Sequence, residues 1–312
     1  MLSSAILLGP QRRVKTVCDA VAELVPQDRR PLAAITAGWE EREPETDELV
    51  AHLGRSLQNL DVWARVERIF ASDSELFEAM RGRHDTLRKM QELYRMRLLG
   101  LMDPLLELHR RDDDPELLEP ERAEALGLVR ALDTEHQKRV AEVHRRFEAK
   151  WRPLERPAVQ RERDAIARQL EQASCLLIAG GHVGVLLHRM RLFDVLGLWG
   201  DRPVIAWSAG AMVLCERIVL FHDSPPQGSN YPEIMEAGFG AVGAFVALPH
   251  AIHRLRLEDQ RSMGVLARRF APAHCALLDR GAHFQWDGRE WTATDGSRVL
   301  DPTDGRPREV SA

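Results

Sequence analysis

A serine stands where a short apolar run passes into a helical pattern. Residues 203–207 form the run, Ser208 follows at once, and the segment that continues through Cys215 is typical of a helix. A strand that turns directly into a helix holds the connecting residue in a strained conformation with its side chain exposed. The small residues Ala206 and Gly210, two positions to either side, would let neighbouring chains come close. The pattern predicts Ser208 as a nucleophile, the alternative being a serine that only caps the helix.

A serine hydroxyl needs a general base before it can attack a carbonyl group. His250 directly follows the apolar run 244–249, so that it stands, like Ser208, at the C-terminal end of a predicted strand. Open α/β sheets gather their sites at this edge. We therefore expect Ser208 and His250 to face the same rim. His253 is the alternative base, although it lies further into the following loop.

The base in turn needs an orienting carboxylate. Asp223 follows the apolar run 218–221 and precedes a loop, which again places it at the end of a strand. Glu216 and Glu236 are weaker candidates because they lie in a probable helix or in the loop. The amide of Ala209, at the start of the helix, is predicted to face the oxyanion that forms on the substrate.

The elements that must position these residues follow an α/β pattern at both ends of the chain. Short apolar runs alternate with amphipathic stretches, which is the signature of βαβ units and predicts an open, mostly parallel sheet. The predicted strands are 4–8, 32–38, 60–66, 175–179, 203–207, 244–249 and 275–278, with a closing hairpin around 284–291. The predicted helices of these two parts include 46–57, 208–215 and 258–270.

Between residues 76 and 169 the pattern changes to long, charged helices. Two apolar stripes at helical spacing, separated by an acidic turn over 112–120, predict an antiparallel helical hairpin. Four further apolar residues are expected to stay partly exposed and to form a partner surface: Leu99, Met102, Leu106 and Leu117. The segment is therefore a lid over the site or an assembly arm. We predict that it mediates self-association, most simply as a two-fold homodimer, and that part of it lies near the mouth of the Ser208 pocket.

The composition excludes several classes of protein. Of the 312 residues, 44% are hydrophobic and 29% charged, and the formal net charge is −5. These values are typical of a globular chain and lack the basic excess of a nucleic-acid binder. No apolar run approaches the roughly 20 residues that a membrane span requires, and the first apolar run precedes its arginines, unlike a signal peptide. We expect a cytoplasmic protein without a nucleic-acid or membrane partner.

No metal or cofactor site is predicted from these residues. The cysteines are scattered without a C-x-x-C pair. His182, His222 and His250 lack the short spacing of a ligand pair.

These motifs together resemble the peptidase E and cyanophycinase family of serine peptidases. The resemblance rests on the double glycine in 179–182, the Trp-Ser-Ala-Gly-Ala turn at 207–211, Asp223 after the next strand, and the Pro-His pair at 249–250. It covers residues 1–75 and 170–290. The family belongs to the class I glutamine-amidotransferase-like superfamily, whose flavodoxin-like, doubly wound sheet carries the site. The long helical segment and His182, where the family usually has Asn or Asp, depart from the family pattern.

The resemblance implies a serine peptidase that needs no cofactor, and family members hydrolyse bonds next to aspartyl residues. The implied roles are Ser208 as nucleophile, His250 as base, Asp223 as acid, the Gly181 and Ala209 amides as oxyanion hole, and Gly180, His182 and Trp207 at the substrate. The predicted organisation is an α/β core formed by 1–75 and 170–312, with the helical hairpin 76–169 inserted.

The sequence therefore predicts a serine hydrolase that cleaves an amide bond in a small peptide or peptide-like substrate. The alternative is a non-catalytic binding or assembly protein on the same scaffold, since a fold does not dictate a function. An amidotransferase that uses glutamine is disfavoured because that chemistry needs a cysteine where this chain has Ser208.

Overall fold

The computed structural model describes residues 1–221 and 231–310. Strands and helices alternate in the first and last parts of the chain, and two long helices lie between them. The strands are β1 (Ala5–Leu8), β2 (Leu32–Ile35), β3 (Leu57–Asn59), β4 (Leu176–Ile178), β5 (Val204–Trp207), β6 (Arg217–Leu220), β7 (Glu233–Ala237), β8 (Phe245–Pro249), β9 (His274–Leu278), β10 (His283–Trp286), β11 (Trp291–Ala293), β12 (Arg298–Leu300) and β13 (Pro307–Glu309). The helices are α1 (Val17–Leu24), α2 (Asp47–Leu53), α3 (Val62–Ser72), α4 (Ser74–Arg110), α5 (Pro115–Trp151), α6 (Pro157–Glu171), α7 (Val183–Leu192), α8 (Val195–Trp199), α9 (Ala209–Leu214), α10 (Ala251–Arg254) and α11 (Gln260–Phe270).

The central sheet has the strand order β11-β10-β1-β5-β4-β2-β3. The five adjacent strands β1, β5, β4, β2 and β3 run parallel to one another. β10 pairs antiparallel with β1, and β11 pairs antiparallel with β10, so these two strands extend the sheet beyond β1. Alternate residues of β1 enter different apolar clusters, Ala5 and Leu7 on one face and Ile6 and Leu8 on the other. Helices cover both faces, as a buried parallel sheet requires. The predicted α/β class with a doubly wound, mostly parallel sheet is confirmed.

The strand that carries His250 belongs to a separate sheet. β8 pairs in parallel with β9, which continues to β12 and β13, while β6 and β7 form a two-stranded antiparallel sheet. Ser208 and His250 therefore follow strands of two different sheets. Apolar periodicity identifies a strand but does not specify its neighbour, which is why the pairing escaped prediction.

The third predicted strand is also displaced. The segment 60–66 was expected to be extended, but β3 ends at Asn59 and α3 begins at Val62. Asp61, with φ 49°, reverses the chain between the two elements. Val62, Val66 and Ile69 then lie on one buried helical face, a spacing that a short window over residues 60–66 cannot distinguish from a strand.

The two long helices α4 and α5 form an antiparallel hairpin, here called the helical arm (residues 74–151). Its apolar stripe packs on the core, where Leu98 and Leu105 join Val246 and Phe270 in one cluster. Met102 and Leu106, expected to stay partly exposed, are 4% and 6% exposed in the same cluster. That expectation is wrong because the core, in addition to the partner helix, covers this face. Leu99 and Leu117 are exposed.

The helix that follows the arm packs against the α/β core. Val159, Ile166 and Leu170 of α6 lie in the same apolar cluster as the strand residues Leu176 and Ile178. The predicted domain boundaries at 75/76 and 169/170 stay a prediction. None of the helices within residues 1–221 and 231–310 has the length and apolar character needed to cross a membrane.

Candidate active site

The turn at Ser208 connects β5 directly to α9. Ser208 has φ 51° and ψ −120°, a region that residues other than glycine seldom occupy, and such strain concentrates at functional sites. Its own amide donates to the carbonyl of Leu8 at 3.3 Å. A Cβ on Gly210 would lie only 2.1 Å from the carbonyl oxygen of Ile178, so this position has to be glycine. Packing of α9 against the end of β4 thus forces the tight turn that exposes the serine.

The double glycine after β4 lies against the serine. A Cβ on Gly180 would come 2.9 Å from the Cβ of Ser208, so that only glycine permits this approach. Gly181 has φ 117°. Within the described residues, the amide groups of Gly181 and Ala209 have no hydrogen-bond acceptor. Two free N–H groups beside a serine are the donors that an oxyanion hole requires.

His250 stands at the end of β8 in the left-handed region, with φ 60° and ψ 34°. Its amide donates to the carbonyl of Leu278 on the neighbouring strand at 3.1 Å. The ring lines the same cavity as Ser208, whereas His253, on α10, is exposed and does not contribute to that wall. In the described parts of the chain no hydrogen bond joins the Ser208 and His250 side chains.

The surroundings of His250 favour the neutral form of its imidazole. Burial lowers the pKa of His250, and the positive charge of Arg254 lowers it further, while the carboxylate of Asp279 acts in the opposite direction. A neutral imidazole is the form that can accept the serine proton.

The carboxylate of the predicted triad is not located by the structure, since Asp223 lies outside the described residues. Glu216 is exposed. Glu236 is buried, and its two oxygens are bound by His144, His188 and Arg191, which leaves neither for His250.

Asp279 is an acidic residue that sequence reasoning missed. It directly follows β9, and the register that pairs Pro249 with Leu278 puts it beside His250. One oxygen accepts the amide of Ile252 at 3.0 Å. The other, Oδ2, is buried without a hydrogen-bond partner among the described residues and lies 3.8 Å from the guanidinium of Arg298. In the sequence, Asp279 directly follows the apolar run 275–278 and so stands at a predicted strand end. His250 was identified from the same kind of position.

The Ser208 cavity has a volume of about 890 Å³. Its wall includes Gly180, Gly181, Trp207, Ala209 and His250 together with the serine. His182 is not part of this wall. Its Nδ1 instead accepts the amide of Val185 at 3.1 Å and caps α7, with the side chain exposed.

Charged side chains line the Ser208 cavity, and cations outnumber acids among the described residues. The lining charges are Arg12, Lys15, Arg42, Arg95 and Arg254 against Glu45, Glu48 and Glu233. Each glutamate pairs with one cation, at 2.7 Å from Lys15 to Glu48, 2.6 Å from Arg42 to Glu45 and 2.7 Å from Arg95 to Glu233. Arg12 and Arg254 form no ion pair within the described chain. The wall is therefore suited to a substrate that carries negative charge.

The helical arm reaches this cavity through Arg95. Arg95 lies on α4, lines the wall and binds Glu233 of β7, the side chain of which is 7% exposed. The cavity is thus completed by a residue from outside the α/β core.

No family model matches the chain, and no curated protein matches it. Two of the solved structures to which the chain is similar are peptidases. One is a peptidase from an acI-B1 actinobacterium, 14% identical, with 100% of this chain and 95% of that chain covered and a TM-score of 0.49. The other is a putative peptidase E from Listeria monocytogenes EGD-e, 11% identical, with 94% and 98% covered and a TM-score of 0.45. The function of this chain therefore has to be inferred from its own residues.

Within the cavity, the residues present match the parts of an acyl-transfer site. A strained serine, an imidazole whose neutral form is favoured, and two amides without an acceptor among the described residues meet there. The half-buried carboxylate of Asp279 lies beside the imidazole. Such a set can attack a carbonyl carbon and hold the oxyanion that results.

Proposed function

We propose that this protein is a serine hydrolase that cleaves an amide or peptide bond in a small peptide or peptide-like substrate. The observation that carries the proposal is the strained backbone of Ser208 at a tight turn. This turn places the serine in the wall of a cavity that His250 also lines. A serine that only capped α9 would accept an amide of the helix, and among the described residues Ser208 makes no such side-chain bond.

In the proposed mechanism, His250 removes the proton from Ser208 as the oxygen attacks the substrate carbonyl carbon. The amides of Gly181 and Ala209 donate to the oxyanion of the tetrahedral intermediate. Protonated His250 then gives its proton to the leaving amine, and the acyl group stays on Ser208. A water molecule, deprotonated by His250, releases the acyl group and restores the serine.

The triad acid is proposed to be Asp223, on the resemblance, or Asp279, on its position beside His250. A carboxylate in this role holds the imidazole in the correct tautomer and stabilises its protonated form. The buried, unbonded oxygen of Asp279 supports the second assignment. Asp223→Asn and Asp279→Asn, compared side by side, assign the role to the variant with the larger fall in kcat.

The substrate is proposed to carry a carboxylate or another anionic group. Arg254 follows His250 by four residues, lines the cavity and forms no ion pair in the described chain. Placing an anion beside such a guanidinium offsets its desolvation. A peptide with an acidic side chain or a free C-terminus meets this requirement.

Hydrolysis of a dipeptide library tests the function. We expect wild-type protein to cleave a subset of acidic dipeptides, and Ser208→Ala and His250→Ala each to lose about 10⁴-fold or more in kcat, without additivity in the double variant. His253→Ala is the matched control, because that exposed histidine lies three residues from His250 and outside the cavity wall.

Full activity in His250→Ala, or loss in His253→Ala alone, contradicts the assignment of the base. Cleavage that persists in Ser208→Ala contradicts the serine mechanism. If the wild type and the variants bind the same dipeptides and none of these proteins cleaves them, the non-catalytic alternative is favoured.

A further inference from the structure

A cluster of two histidines and a glutamate joins the helical arm to the α/β core, away from the wall of the Ser208 cavity. His144 lies on α5 of the arm, His188 on α7 and Glu236 on β7. The Nε2 atoms of His144 and His188 each lie 2.6 Å from one oxygen of Glu236, from Oε2 and Oε1 respectively. One ligand-type atom from each residue lies within 4.8 Å of the other two.

The cluster is sheltered but not sealed. The side chain of Glu236 is 4% exposed, and those of His144 and His188 are 17% and 20% exposed. A small ion with a bound water can therefore reach the nitrogen atoms, while the carboxylate stays in surroundings that strengthen electrostatic contacts.

The donor atoms of the cluster suit a cation. Two imidazole nitrogens and a carboxylate lie together, with the Nε2 atoms of His144 and His188 in contact with Glu236. Two imidazoles and one carboxylate form a common donor set for a divalent transition metal.

Arg191 is a cation in direct contact with the cluster, and it competes with a metal ion at this place. It donates from Nη1 to Glu236 Oε2 at 2.7 Å and from Nη2 to the carbonyl of Ala237 at 2.6 Å. Its Nη1 also lies 3.5 Å from His144 Nε2, and among the described residues it forms no hydrogen bond with Oε1, which contacts His188. Arg191 can therefore stay bound to Oε2 while Oε1 and the two imidazoles turn to a metal ion, as groups that hold metal ligands in place commonly do.

We propose that His144, His188 and Glu236 form a binding site for one divalent transition-metal ion, Zn²⁺ being the expected occupant, that fastens the helical arm to the core. Ligand atoms of a tetrahedral zinc site are about 3.3 Å apart, given bond lengths of about 2.0–2.1 Å. To reach this spacing, the two 2.6 Å distances from Nε2 to the Glu236 oxygens must increase by less than about 1 Å. Each imidazole must also carry its proton on Nδ1, because Nε2 binds the metal. A water molecule fills the fourth position.

This site would serve stability rather than the Ser208 chemistry. Its three residues come from elements that no other covalent or metal link connects in the described chain, and none of them lines the Ser208 cavity. The inference is independent of the proposed hydrolase function.

Calorimetric titration of chelator-treated protein with ZnCl₂ tests the proposal. We expect one Zn²⁺ to bind per chain and His144→Gln and His188→Gln each to weaken binding by at least about tenfold. His84→Gln is the matched control, since His84 is exposed on α4 of the same arm. Arg191→Gln removes the competing cation and is expected to bind Zn²⁺ at least as tightly as the wild type.

Thermal unfolding gives a second readout that does not depend on activity. Zn²⁺ should raise the Tm of the wild type and of His84→Gln and leave that of His188→Gln unchanged. If His144→Gln fails to fold, His188→Gln and the visible spectrum of Co²⁺ bound to the wild type still decide the matter. No saturable binding, or equal weakening by His84→Gln, would show surface binding only and overturn the proposal.

Discussion

At the scale of single residues, the proposed chemistry depends on the positions of Ser208 and His250 at the ends of their strands. Ser208 and His250 both have positive φ, and each directly follows a buried strand. This position was one signal for both predictions, because an apolar run that stops at a polar residue marks a strand end; the small residues around Ser208 and the family resemblance were the others. The sequence held the same signal at Asp279, but nothing in it shows that β9 pairs with β8, which is what places this carboxylate beside His250.

His182 illustrates a role that residue type alone does not distinguish. The family resemblance implies a substrate contact there because the residue follows the double glycine. In the structure its ring caps α7, with Nδ1 accepting the amide of Val185. The predicted contact with substrate stays a prediction.

The pH dependence of hydrolysis reports on the environment of His250. Because burial and Arg254 lower its pKa, the acid limb of kcat/KM is expected below the ordinary histidine value of about 6.5. Removing the cation in Arg254→Gln should move that limb to higher pH, and removing the opposing carboxylate in Asp279→Asn should move it lower.

Profiles of kcat/KM for a small amide substrate, measured for the wild type and both variants, check these directions. Arg95→Lys is the control, since it keeps a cation on the cavity wall. If the acid limb moves in the same direction in both variants, or does not move in either of them, the description of His250 is contradicted.

At the scale of elements, the buried contact between the arm and α11 was not predictable from the sequence. Arg269 of α11 binds both oxygens of Asp133 on α5 at 2.7 Å and the hydroxyl of Tyr94 on α4 at 2.9 Å. All three side chains are buried. Charged residues 136 positions apart give no local signal, so the apolar stripe predicts that the arm must pack but not what it packs against.

Asp133→Asn tests how strongly this contact holds the arm. The change leaves Arg269 buried without its counter-charge, which is expected to lower the free energy of unfolding by about 3–5 kcal/mol. Chemical denaturation of the variant measures the loss.

Glu135→Gln is the matched control, because Glu135 pairs with Arg139 at 2.7 Å on the exposed side of the same helix. Its effect should stay within about 1 kcal/mol. Equal losses in the two variants would mean that the buried pair does not fasten the arm.

At the scale of the whole molecule, the helical arm is a wall of the cavity as well as a projecting hairpin. Arg95 brings it to the Ser208 cavity, and the apolar cluster under Met102 and Leu106 joins it to the core. The sequence predicts that the arm mediates self-association and that part of it lies near the mouth of the Ser208 pocket. Which apolar residues of the arm the core covers depends on tertiary packing, and the stripes in the sequence do not specify that.

Self-association through the arm remains a proposal. The core leaves uncovered a row of apolar side chains on α4, with Leu93 61%, Met96 69% and Leu99 37% exposed. Exposed apolar patches of this kind favour an interface, and a two-fold homodimer is the simplest. We expect Leu93→Glu with Met96→Glu to convert a dimer into a monomer in light scattering.

Val50→Glu, at an exposed apolar site on α2, is the control and should keep the oligomeric state of the wild type. A monomeric wild type, or a dimer that persists in the Leu93 and Met96 double variant, excludes this face as the interface.

The central claim is that Ser208 is an activated nucleophile, and covalent labelling tests it most directly. Wild-type protein treated with a fluorophosphonate probe should form an adduct that peptide mass mapping places on Ser208. Labelling should disappear in Ser208→Ala, fall steeply in His250→Ala and persist in His253→Ala. An unlabelled wild type, or an adduct that remains in Ser208→Ala, would contradict the account.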